Sequence, residues 1–134
     1  MHSHTRVFLL LGCINALLSV VFGAFGTHGL KLWMEPDLLA VYETGAKYQF
    51  YHGLGLLSVG LLSHHYPTAK LIRWAGWMMF SGIVIFSGTL YTLSLTSTRW
   101  LGAITPIGGT AFIISWILLI IFIVRQRAHS SFTK

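Results

Sequence analysis

Two short runs carry most of the side chains able to do chemistry. Gly23-Ala24-Phe25-Gly26-Thr27-His28-Gly29-Leu30 places a histidine at the end of a long apolar stretch, and Glu43 to His52 supplies Glu43, Lys47, Tyr48, Gln49 and His52. At helical spacing, residues 45, 48, 49 and 52 share a face, which makes Tyr48, Gln49 and His52 neighbours. Ser87 and Tyr91 stand one turn apart further along, and Thr105 opens the last apolar stretch. His28, Glu43, Tyr48, Gln49, His52, Ser87, Tyr91 and Thr105 therefore form a candidate ligand-binding set of neutral hydrogen-bonding and titratable groups. The competing reading is structural: Tyr and Gln near helix ends bond neighbouring carbonyls, and His28 caps its own helix. Glu43 and Lys47, in the favourable i, i+4 order, read as a surface pair worth about 0.3–0.5 kcal/mol. Two histidines and a glutamate are zinc-type donors, but spacing of 28, 43 and 52 matches no metal motif. No metal site, cofactor or catalytic residue is expected, since no nucleophile–base pattern, phosphate loop or haem-like histidine pair is present. Adjacent His64 and His65 point apart on a helix and read as part of a polar turn.

The elements that must position these groups follow from composition. Apolar residues make up 54% of 134 residues and charged residues 9%, whereas a soluble domain is about one quarter charged. Such a chain cannot cover a globule with polar surface, so its solvent is lipid. Its formal charge of +6 then marks topology and anionic headgroups, not nucleic acid, because no basic cluster alternates with exposed aromatics. Cys13 is the single cysteine, so no disulfide forms within the chain.

The reading is an all-α, four-transmembrane-helix bundle forming a single membrane domain over 1–134. Spans lie at about 7–27, 44–62, 72–95 and 105–124, with an interfacial amphipathic segment at about 31–42. Pro36 begins or interrupts a short helix there, and Asp37 can cap it. Leu10-Leu11-Gly12-Cys13 resembles a lipoprotein box and Ala24-Phe25-Gly26 a signal cleavage site, but a retained first helix accounts better for the length of the run. Gly12, Ala16, Ser19, Gly23 and Gly26 share one face of that helix, a small-residue packing seam. Ala46, Gly53 and Gly60 repeat every seven residues on the second span, and Ala75, Gly82 and Thr89 on the third. Thr105 and Pro106 suit the cap and first turn of the fourth, and the tail from Arg125 to Lys134 is basic and frayed. With four spans, Arg6, Lys70, Arg73, Arg125, Arg127 and Lys134 share one side, against Lys31, Lys47 and Arg99 on the other. That bias puts both termini in the cytoplasm of a multi-pass cell-membrane protein.

Four motifs in order carry a family resemblance: Gly23-Ala-Phe-Gly-Thr-His28, Thr44-Gly-Ala-Lys-Tyr-Gln-Phe-Tyr-His52, Phe86-Ser-Gly-Thr-Leu-Tyr91 and Ile104-Thr-Pro-Ile-Gly-Gly109. Together they make the chain resemble the small membrane proteins called domain of unknown function 423, of YgdD and YwdK type. The resemblance covers essentially the whole chain. It implies a four-span bacterial inner-membrane protein and no established activity. Thr27 stands where that family pattern has alanine, Thr89 where it has serine, and Ser115 where it has glycine, all small-for-small changes. Lys47 occupies a position where the pattern varies.

The expected function is non-enzymatic: a small membrane module that packs with itself, as a homo-oligomer, or with a membrane protein partner, and holds a small polar ligand. The alternative is a small transporter or proton-linked carrier using Glu43, Gln49 and His52 in an outer-facing cavity. It ranks second because no acid lies at mid-membrane depth, where carriers place coupling groups.

Overall fold

A computed structural model describes residues 1–131, with side chains through residue 127, and among these the fold is all helical. The helices are α1 (Ser3–His28), α2 (Pro36–His65), α3 (Lys70–Gly82), α4 (Gly88–Thr96) and α5 (Thr105–Ser131). A π turn, Ile83–Ser87, joins α3 to α4 in one rod, and 3-10 turns at Leu30–Leu32 and Arg99–Ala103 precede α2 and α5. Among the described residues three stretches are long and apolar enough to cross a membrane, Ser3–Leu32, Lys70–Thr96 and Arg99–Arg127, each holding an 18-residue window of mean hydropathy 2.4, 1.6 and 2.6 respectively. α2 is not among them, so composition alone identifies three of the four expected spans. Its polar residues Glu43, Lys47, Gln49 and His52 lower its hydropathy, and Gln49 and His52 are buried against other helices instead of facing lipid.

The expected interfacial segment differs in form. Pro36 is the first residue of α2, and the helix continues without a break through the second apolar stretch. A proline at the first helical position loses no intrahelical donor, and nothing between 37 and 65 interrupts the ladder. Glu35 rather than Asp37 stands at the N-cap, without a side-chain capping bond, while Asp37 turns outward to Arg99 at 3.2 Å. The last helix runs to Ser131 instead of fraying after Val124; residues 132–134 lie outside the described part.

The rods pack α1 on α2, α2 on the α3–π–α4 rod, and that rod on α5. Glycines set the closest approaches. A Cβ at Gly12 would lie 2.8 Å from the Leu57 nitrogen and 2.9 Å from the Gly53 oxygen, so α1 and α2 meet backbone to backbone, as small residues permit in membranes. A Cβ at Gly82 would run into the Phe112 ring, and one at Gly108 into the Phe86 backbone nitrogen, so α3 and α5 meet in the same way. The main apolar core (Phe8, Leu56, Ile72, Met79, Phe112 and Leu119 among others) draws on all four rods, and a second cluster of Leu30, Met34, Leu38, Tyr42 and Leu93 closes the end bearing the α1–α2 connection.

Candidate functional site

The polar side chains of α2 divide between two faces. Gln49, 5% exposed, faces α1 and α4. Its Nε2 donates to Asn15 Oδ1 at 3.0 Å, and its Oε1 accepts from the Tyr91 hydroxyl at 2.7 Å. Asn15 Nδ2 passes the chain on to the Leu11 carbonyl at 2.8 Å. One continuous line of hydrogen bonds thus crosses three rods, with both ends of the Gln49 amide used. Away from water, leaving either end open would cost about 1–3 kcal/mol. Beside this line the Tyr42 hydroxyl donates to the Phe22 carbonyl at 2.7 Å, and the Tyr42 and Tyr91 rings lie 5.1 Å apart.

Tyr48 and His52 turn toward α5. The His52 ring lies flat on Phe112, centroids 3.5 Å apart and planes within 7°. Its Nδ1 is 2.8 Å from the Tyr48 carbonyl, and its Nε2 is 3.1 Å from the Trp116 indole nitrogen. An indole N–H only donates, so Nε2 must be the bare nitrogen and Nδ1 the protonated one. The histidine is held in one neutral tautomer with neither nitrogen spare. Tyr48, Phe86 and Phe112 continue the aromatic layer, the Tyr48 and Phe86 rings 4.8 Å apart. These rings, with Trp116, Thr110, Gly109 and Pro106, wall a groove of about 590 Å³ between α2 and α5. The groove opens sideways, and its wall is overwhelmingly carbon.

The π turn sets up this arrangement. Its extra residue lets neighbouring positions face different rods: Phe86 lies against Tyr48 and Phe112, while the Ser87 hydroxyl, 1% exposed, donates to the Gly45 carbonyl of α2 at 2.7 Å. π turns inside α-helices recur at functional sites.

The eight candidate residues therefore do not converge on one point. Gln49 and Tyr91 bond directly, and Ser87 lies close by on Gly45. Tyr48 and His52 share the aromatic groove. Thr105 is buried at the start of α5, its hydroxyl 2.7 Å from that of Thr89 and 3.2 Å from the Leu101 carbonyl. His28 and Glu43 are exposed and join neither group, and no ion pair links Glu43 to Lys47 among the described residues. Sequence reasoning missed Asn15, Phe86, Phe112 and Trp116. Only Asn15 left a signal, as one of two polar residues in the first apolar run. Among the described residues no three His, Cys, Asp or Glu cluster closely enough to hold a metal.

At the end bearing the α1–α2 connection, Arg99 bonds the Asp37 carboxyl and holds its pKa below the ordinary value. This ties the α4–α5 connection to the first turn of α2.

The profile of the family described as Protein of unknown function (DUF423) matches residues 22–109. The chain belongs to that family. The match contains Gln49, His52, Ser87, Tyr91 and Thr105, whereas Asn15 and Trp116 lie outside it. The UPF0382 membrane protein YwdK of Bacillus subtilis is 51% identical over 120 residues, covering 90% of this chain and 98% of YwdK. UPF0382 membrane proteins of Staphylococcus epidermidis and Staphylococcus saprophyticus are 52% and 50% identical over 116 residues, each covering 87% of this chain and 93% and 95% of the relative. No solved structure matches. As a DUF423 member with three strongly apolar helical stretches, the chain is a membrane protein of an uncharacterised family.

Proposed function

We propose that this DUF423 protein is a four-span, non-enzymatic module of the bacterial cell membrane that works by packing with other chains in the bilayer. The observation that carries this reading is that the buried polar side chains along α2 and its neighbours find partners within the chain, Thr5 Oγ1 being the exception among the described residues. Gln49, Asn15, Tyr91, His52, Ser87 and Ser115 all hold partners inside the protein. What remains open is a lateral groove walled by carbon, which matches an apolar membrane helix of a partner better than a polar solute. α2 counts as the fourth span because it runs antiparallel to α1 through the same depth, from Gly60 against Leu9 at one end to Tyr42 against Phe22 at the other. The bias of Lys and Arg toward the side bearing Arg6, Lys70, Arg73 and Arg125 supports cytoplasmic termini.

The carrier reading keeps one observation: His52 stands in the groove wall beside the π turn. Native mass spectrometry of protein extracted in its own lipids separates the two. The module reading expects no small-molecule or metal adduct on the wild type. An adduct that disappears in the Gln49→Ala, His52→Ala double variant would replace it with a ligand or carrier site. Cysteine-accessibility mapping at both ends of α2 tests the fourth span independently.

A further inference from the structure

Another open face of the bundle lies on the other side of α2. A shallow groove of about 280 Å³ runs between α1 and α2, lined by Ser19, Val20, Gly23, Ala46, Lys47 and Phe50. Gly23 belongs by spacing to the small-residue seam of α1, yet a Cβ built there would meet nothing within 4 Å. Lys47 forms one edge of the groove, and Glu43 stands one turn nearer the start of α2; both are exposed. They form no ion pair with each other, and the recorded pair among the described residues, Asp37 with Arg99, uses neither. One face therefore carries an open seat with a floor of small residues and, beside it, an unpaired acid and an unpaired base.

We infer that this face is the seat of a second copy of the same chain, held by reciprocal Glu43–Lys47 pairs across a two-fold axis. The argument is charge complementarity of a self-matching kind. In a two-fold interface residue i meets j and j meets i, so a patch with both signs one turn apart satisfies all four charges at once. Two copies inserted the same way stand at equal height, leaving an offset of about 6 Å along α2 between Glu43 of one and Lys47 of the other. A lysine stem reaching up toward the interface spans that offset. The floor of Ser19, Gly23 and Ala46 allows the backbone approach that helices in lipid depend on. A helix without an acid and a base at these heights would fill the floor but leave one or both charges unmatched. The inference rests on the four-span reading and uses nothing from the α2–α5 groove. Failure of the four-span reading appears separately, in the accessibility of the α2 ends.

The test mixes copies. Wild type, Glu43→Lys and Lys47→Glu are each labelled with donor or acceptor fluorophores, reconstituted into vesicles of phosphatidylethanolamine and phosphatidylglycerol, and assayed for energy transfer. Wild type is expected to dimerise. Each single variant sets like charges together twice, and its dimerisation is expected to fall about tenfold or more. Glu43→Lys mixed with Lys47→Glu restores opposite charges at both contacts, so the heterodimer is expected to return to near the wild-type level. If Glu43 and Lys47 pair only within one chain, mixing restores nothing. Gly23→Leu places its side chain where the single chain has open space, so thermal unfolding should be unchanged while dimerisation falls about tenfold. A monomeric wild type at every protein-to-lipid ratio, single variants that still dimerise, mixing without recovery, or a Gly23→Leu protein that dimerises like wild type would each overturn the inference.

Discussion

The two faces of α2 solve the same packing problem differently. Toward α1 it uses glycine: Gly53 and Gly60 bring backbones together, and the Gln49–Asn15 bond seals the seam. Toward α5 it uses rings: Tyr48 and His52 against Phe112 and Trp116, with a groove left between them. At Gly12, Gly53 and Gly60 the glycine face is closed and tolerates no growth. The aromatic face is padded, leaves space, and holds its single cross-helix hydrogen bond at a half-exposed edge. The largest effect that separates them is steric. At Gly53 a Cβ would lie 3.0 Å from the Ala16 nitrogen and 3.3 Å from the Gly12 oxygen, whereas at Gly109 it would come no nearer than 3.7 Å to the Phe86 ring. Gly53→Leu is expected to cost about 3 kcal/mol or more, through forced separation of α1 and α2. Gly109→Leu should stay within about 0.5 kcal/mol. Thermal unfolding in detergent reads both, and equal losses would erase the distinction.

The next contrast is polar. Gln49→Leu removes one partner from Asn15 and one from Tyr91 in a closed interior, with an expected loss of about 1–2 kcal/mol. Asn15→Leu, Gln49→Leu, Tyr91→Phe together should recover part of that loss, because no member of this hydrogen-bonded line is then left without a partner. A triple variant weaker than the single one would show that the chain of bonds stabilises the bundle beyond satisfying its own members. On the other face, Trp116→Phe removes only the indole donor to His52 and keeps a ring in the groove wall. Its expected cost is smaller, about 0.5–1 kcal/mol. A loss matching that of Gln49→Leu would mean that the aromatic face is as closed as the glycine face.

Much of this architecture was legible in the chain. Small residues at 12, 16, 19 and 26 and at 53 and 60 marked the α1–α2 seam, and those at 75, 82 and 89 marked the face turned to α5, where Ala75 accepts from Ser115, Gly82 meets Phe112 and Thr89 meets Thr105. Spacing also made Tyr48, Gln49 and His52 neighbours on α2. It could not tell that they would part, because the rotation of each helix about its axis is set by partners far away in sequence. Trp116 read as one more apolar residue of a span, since nothing local distinguishes a lipid-facing indole from one aimed at a histidine. The π turn left no mark in hydropathy, yet it decides that Phe86 and Ser87 serve different rods. The break with the expected Glu43–Lys47 pair has a related root: both stand on an exposed face, where no packing within the chain fixes their side chains.

The smallest expected effect lies outside both faces and checks that they, not the connecting loops, hold the bundle. Asp37 and Arg99 pair at 3.2 Å in the open, with side chains 58% and 70% exposed. Solvent and salt screen such a pair, so its contribution is small. The sign of its pH dependence is nonetheless fixed. The bond from Arg99 lowers the Asp37 pKa below its ordinary 3.8, so the folded protein binds this proton less readily than the unfolded chain does. The contribution is therefore complete above about pH 5 and fades as pH falls through the lowered value. Comparing thermal midpoints of wild type and Asp37→Asn from about pH 8 down to about pH 3 isolates this group. A small constant gap is expected at neutral pH, narrowing to nothing in acid and also narrowing in high salt. A gap that widened in acid would reverse the sign of the pair. A gap as large as that of Gln49→Leu would move the main hold on α2 from its two packed faces to its exposed end.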